Sequence, residues 1–152
     1  MKWITRERPK IDRIACPWLI TRFIDKKPEF IYAPPDKVVE MANTLGAIPY
    51  DIPNVELSHV GDLCSFDAFL LKYHLNDPAL ADLALIVRAA DTDHLELAPQ
   101  ASGLLAISLG FSYNYRNDLE MLKVGMLVYD ALFSWCKHAH SEQHTWNPKA
   151  YS

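Results

Sequence analysis

Between Asn117 and Lys137 nearly every face of a helical wheel carries an apolar side chain: Leu119, Leu122, Met126, Leu127, Tyr129, Leu132, Phe133 and Trp135. A helix that is apolar all round cannot lie on a wet surface, so it is either wrapped by other elements or held at a subunit interface. Asn117 with Glu120 three residues on marks its start as a capping box. Asp130, in the middle, is the one charge that the pattern does not explain.

The rest of the chain has to supply the wrapping. Asp77 caps and Pro78 opens a helix whose stripe is Leu80, Leu83, Ala84 and Val87. Pro99 opens another through about Leu109, with Gly110 as its terminal glycine and Gly103, Ala106 and Ser108 allowing a close neighbour. The aromatic segment Phe111 to Tyr115 links it to the last helix and reads as core. Towards the N-terminus, Trp3–Thr5 and the β-forming run Glu29–Ala33 read as strands. Pro34-Pro35-Asp36 opens a helix that Gly46 closes, with Val38, Val39, Ala42 and Leu45 inward. Ala47 to Pro53 carries two prolines around Tyr50 and Asp51, which suits an edge or loop. The expected fold is therefore α/β (α+β), mostly helical, with a small sheet of a few strands in the N-terminal half.

With 152 residues, 50% of them hydrophobic and 22% charged, one soluble domain is expected. We place it at residues 1–140, followed by a polar tail over 141–152. His138, His140 and His144 near that end can catch a divalent ion opportunistically, and they read as surface residues. A formal net charge of −4 argues against a nucleic-acid-binding face, which needs clustered lysines and arginines. The charged first residues do not form a signal peptide, and three scattered cysteines (Cys16, Cys64 and Cys136) suit a reducing compartment. A cytoplasmic location follows as the expectation, without membrane association, since no apolar run nears the ~20 residues of a span. Neither a phosphate-cradling glycine loop nor a zinc-type cysteine pair is present, so no nucleotide cofactor is expected.

The densest chemistry lies in S-H-V-G-D-L-C-S-F-D, from Ser58 to Asp67. Val55 and Leu57 lead as a strand into Gly61, and an amphipathic helix follows, with Asp62 as the natural N-cap. Cys64 would then sit in the first turn, where free N–H groups favour a thiolate. Cys16, beside Pro17 at a predicted first helical position, would be a second thiol at a helix start. Downstream, Arg88, Asp91, Asp93 and His94 cluster at a helix end that could pack against His59.

Four stretches carry a family resemblance: D-R-I-A-C-P-W-L-I (Asp12 to Ile20), G-A-I-P-Y-D-I-P (Gly46 to Pro53), the Ser58–Asp67 stretch and I-V-R-A-A-D (Ile86 to Asp91). In order over most of the chain, they resemble the C-terminal domain of the ChrB-like chromate-resistance family. Members of that family accompany chromate efflux systems, and the full-length form looks like a chromate-responsive transcriptional regulator. A stand-alone domain of this kind would not bind nucleic acid directly.

Three roles follow as expectations. In the first, His59, Cys64, Asp67 and Asp91 hold a divalent transition metal, or Asp12, Arg13, His59 and Arg88 hold a chromate-like oxyanion. In the second, Cys16 and Cys64 form a thiol-dependent redox enzyme or sensor. The third is a helical dimerisation module, a homodimer built on the last helix.

Overall fold

The computed structural model describes residues 1–142. Three short parallel strands form the sheet: β1 (Lys2–Arg6) lies between β2 (Glu29–Ala33) and β3 (Ile48–Pro49). Strand β1 pairs along its whole length with β2, Trp3 opposite Phe30 and Ile4 opposite Ile31. Its side chains alternate between two cores. Trp3 enters the main one and Ile4 the smaller one, where it meets Val38, Ala42 and Ile52. A central parallel strand is expected to be covered on both faces in this way.

Helix α1 (Asp12–Leu19) connects β1 to β2, and α2 (Val38–Leu45) connects β2 to β3. Gly46 ends α2 at φ +62, in the left-handed conformation that a glycine C-cap supplies. Of the expected inner face of α2, only Val38 and Ala42 are buried; Val39 and Leu45 are exposed, because this short helix covers a small core with a narrow stripe. Then come α3 (Ser65–Lys72), α4 (Pro78–Asp91), α5 (Ala101–Asn114) and α6 (Asp118–His138). The α/β architecture, mostly helical with its sheet in the N-terminal half, is thus as the sequence implies.

Helix α6 lies against α1 and α4. A Cβ added to Gly125 would meet Cγ2 of Ile14 at 2.5 Å, so α1 and α6 touch at the backbone of Gly125. Asp130 now has its explanation. Its carboxylate accepts from the indole N–H of Trp18 at 2.7 Å and from Nε and Nη2 of Arg22 at 2.9 and 2.7 Å. Trp18 in turn lies 5.4 Å from Phe133 and 6.4 Å from Tyr129, centroid to centroid. The helix is nevertheless not covered all round, since Leu127 remains 66% exposed.

Four local expectations give way to the structure. Helix α1 begins at Asp12, so Cys16 and Pro17 lie inside it and not at its start. Proline lacks the N–H that would bond the carbonyl of Arg13 one turn back, and that carbonyl instead accepts the hydroxyl of Tyr32 at 3.0 Å. The turn after it widens into a π-helix, Ile20–Ile24. Helix α5 continues through Gly110 to Asn114, where the Arg8 guanidinium donates to the carbonyls of Ser112 and Tyr115 and so caps the end. The Phe111–Tyr115 segment is therefore largely helical; Phe111 packs on the main core, but Tyr113 is exposed. Finally, Val55 to Ser58 is not a strand. It makes one isolated parallel bridge, Leu57 with Tyr50.

The last correction concerns the Ser58–Asp67 turn. Val60 and Leu63 bond each other through both backbone pairs, at 3.1 and 3.0 Å, around Gly61 at φ +58. That tight turn postpones the helix, so the cap is Cys64 and not Asp62. Among the described residues no helix is long and apolar enough to cross a membrane. His144 lies outside the described residues. His138 ends α6, while His140 stacks on Trp135 at 4.2 Å and faces Asp82 at 3.5 Å.

Candidate metal centre

Four side chains from four parts of the chain converge beside the N-terminus of α1. Ile11, just before that helix, is held at φ +46, a strained conformation for a β-branched residue that costs about 1–3 kcal/mol. Its carbonyl accepts the hydroxyl of the buried Tyr129 at 3.2 Å. Asp12, the next residue, is wholly buried. One oxygen of Asp12 accepts the backbone N–H of Ser65 at 2.7 Å, at the start of α3. Its other oxygen, Oδ1, is buried with no hydrogen-bond partner among the described residues.

Asp51 follows β3, also at positive φ (+52). Its Oδ2 faces Nη2 of Arg6 at 3.3 Å and Nε of Arg13 at 3.5 Å, while Oδ1 accepts the hydroxyl of Ser65 at 2.8 Å. The two oxygens are therefore divided, one to the arginines and one to the site. Asp91 is the last residue of α4, where the helix dipole favours a cation nearby, and its Oδ1 lies 3.4 Å from the backbone nitrogen of Asp12.

His59 closes the group. Its Nε2 lies 3.0 Å from Oδ2 of Asp91, 3.2 Å from Oδ1 of Asp51 and 3.5 Å from Oδ2 of Asp12. The ring is 39% exposed, so it forms the outer wall of an otherwise buried site. One atom from each of the four residues lies within 4.8 Å of all the others. Donors held about 2.1 Å from a common ion stand about 3.0 Å apart in an octahedron and about 3.4 Å apart in a tetrahedron. The three separations measured from His59 Nε2, 3.0 to 3.5 Å, match those spacings.

Electrostatics at the site follow from this crowding. Burial, with the charges of Asp91 and Asp51, raises the carboxyl pKa of Asp12, and burial with Asp51 raises that of Asp91. Burial pushes Asp51 the same way, but the hydrogen bonds from His59 and Ser65 and the charges of Arg13 and Arg6 outweigh it and hold its pKa low. His59 is pushed up to about 9, chiefly by its hydrogen bond to Asp51 against the opposing effect of burial. A neutral-pH protein thus places a proton on His59 where three carboxylates call for positive charge.

The remaining residues singled out from the sequence lie elsewhere or play other parts. Cys64 and Asp67 form a separate pair: Asp67 accepts the Cys64 backbone N–H at 3.0 Å and lies 3.3 Å from its sulfur. Arg88 binds the other oxygen of Asp67 at 3.1 Å. Arg13 is engaged by Asp51. Both Cys16 and Cys64 are fully buried free thiols, and burial, reinforced by the charge of Asp12, pushes their pKa values up and away from the thiolate. Asp51 is the residue that sequence reasoning missed. It sits in a loop between two prolines with no local pattern, and only its place in one of the four family-like strings pointed to it.

A family model described as ChrB, C-terminal domain, matches residues 3–136. A curated protein named Protein ChrB, from Cupriavidus metallidurans, is 31% identical over 134 residues, which cover 88% of this chain and 40% of that protein. No solved structure matches the chain. All four converging residues, from Asp12 to Asp91, fall inside the matched region, and on this match the chain belongs to the ChrB C-terminal domain family.

Proposed function

We propose that this chain is the metal-binding module of a chromate-resistance protein, and that Asp12, Asp51, His59 and Asp91 hold one divalent transition metal. The observation that carries the reading is the convergence of one imidazole nitrogen and three aspartate oxygens from α1, α4 and the segment between β3 and α3. The fully buried Asp12 adds that its Oδ1 has no hydrogen-bond partner among the described residues, and a buried acceptor left so costs about 1–3 kcal/mol. Three carboxylates with an imidazole and no thiolate suit Mn²⁺, Fe²⁺ or Zn²⁺ better than soft ions. In the metal-free protein, protonated His59 stands in for the cation. Binding an ion therefore displaces a proton from it.

An oxyanion bound directly by Arg13 and Arg88 has less support, since those guanidinium groups already face Asp51 and Asp67. A redox role for Cys16 and Cys64 would need thiolates, which burial disfavours at both positions. A homodimer built on α6 draws on exposed apolar residues such as Leu127, and it is compatible with the metal reading.

The test is metal content and affinity. Protein purified without chelator, or stripped and titrated with Mn²⁺, Zn²⁺ and Co²⁺, should take up about one ion per chain. Asp91→Asn and His59→Ala should weaken binding by more than the roughly 10- to 100-fold typical of losing an outer-shell partner. Wild-type protein that binds none of the three ions would sink the proposal.

A further inference from the structure

His59 and Asp51 do more than face the buried carboxylates. They also line a cleft of about 490 Å³ whose other walls include Arg6, Asn54, Val55 and Ser58. Arg6 is partly exposed there; its Nη2 donates to the carbonyl of Asp51 at 2.9 Å, and its Nε is buried with no partner among the described residues. Among the described residues, no hydrogen bond is made by its Nη1. The guanidinium is thus anchored through one nitrogen and incompletely used.

A metal held by four protein ligands keeps two positions open in octahedral coordination, and the exposed edge of the site is the His59 side, which faces this cleft. The charge balance points the same way. With a divalent ion bound and His59 neutral, the ion together with Arg6 and Arg13 outweighs the three carboxylates by one positive charge. Without the ion, protonated His59 replaces only one of its two charges and the same groups sum to zero, so the pull on an anion is lost.

We propose that a small oxygen anion, a carboxylate or a tetrahedral oxyanion, enters this cleft, completes the coordination of the metal and is gripped at its far end by Arg6. This rests on the metal reading above, which supplies the positive charge. Binding of anion and metal would then be mutually reinforcing, since each raises the affinity for the other by the same factor.

Co²⁺-loaded protein, followed by its visible absorption, separates the two levels. Sulfate and succinate are titrated separately, into wild type, Arg6→Gln and Asn54→Asp. The last variant adds a negative charge to the cleft at a position, φ +63, whose backbone aspartate tolerates, and it leaves Arg6 in place. A saturable spectral change in wild type, weakened about tenfold or more in both variants, supports the proposal, tenfold being the scale of one charge-assisted hydrogen bond. Response to sulfate alone assigns the tetrahedral class; response to succinate alone assigns the carboxylate. Protein that binds Co²⁺ but shows no anion response, or equal anion affinity in wild type and both variants, overturns the proposal and leaves the metal reading intact. Failure to bind Co²⁺ at all overturns the metal reading, and this one with it.

Discussion

Helices α4 to α6 and the segment from Asp51 to Cys64 are ordered by different forces. In α4, Leu80, Leu83, Ile86 and Val87 are buried along one stripe, and α6 adds Met121, Leu122 and Tyr129 to the same core. The Asp51–Cys64 segment has one isolated bridge to Tyr50, one two-way turn, and left-handed backbone at Asp51, Asn54 and Gly61. Its buried anchors are few, and its polar side chains bond groups that come from other elements. Apolar burial can be specified by a local repeat, whereas polar convergence is specified only by the completed fold.

Four measurements would break or sharpen that contrast. Trp18→Ala should be the most damaging, at about 3–5 kcal/mol of unfolding free energy, because it empties the aromatic cluster between α1 and α6 and frees one acceptor of Asp130. Denaturant melts should show that loss equally with and without metal; a loss that metal reverses would mean the two regions are not independent. Next comes metal itself. An ion at 100 times its Kd should stabilise wild type by about 2.7 kcal/mol, and Asp91→Asn should abolish most of that gain while its metal-free melt stays near wild type.

Gly125→Ala should cost a net of about 0–2 kcal/mol. Overpacking against Ile14 accounts for roughly 1–3 kcal/mol, and the better helix propensity of alanine returns about 1 kcal/mol. The smallest effect should be that of pH. Folding raises the His59 pKa from 6.5 to about 9, so its stabilising contribution is complete below pH 6.5 and is lost as pH rises through 9. Melts of metal-free protein should therefore fall across that window more steeply in wild type than in His59→Asn. With metal present the increment should grow with pH instead, since the ion competes with the proton.

Much of the fold could be read from the chain because its signals are local. Asp77 caps α4 by accepting from Ala79 at 2.8 Å, with Pro78 following, and Asn117 caps α6 by accepting from Glu120 at 3.0 Å. Pro17 misled because a helix-interior proline is normally excluded, and the compensating hydroxyl of Tyr32 belongs to a strand that sequence spacing cannot place. Asp12, His59 and Asp91 stood out by residue type and by the family-like strings around them. Asp51 did not, since nothing nearby announces that its two oxygens will be shared between arginines and the site. Cys64 and Asp67 attracted notice by density alone; their contacts are with each other and with Arg88.

Asp12 and Asp91 lie 79 positions apart, and of the four converging groups only Asp51 and His59 are near neighbours in sequence. The unfolded chain therefore offers no foretaste of the site, and neither does a partly folded one that lacks α1 or α4. An ion captured there would be gained only after the folding barrier is crossed, so it should slow unfolding while leaving the folding rate unchanged. Stopped-flow chevrons should show the unfolding limb alone displaced by metal. In that sense the site acts as a latch, whose closure reports that the chain has finished folding.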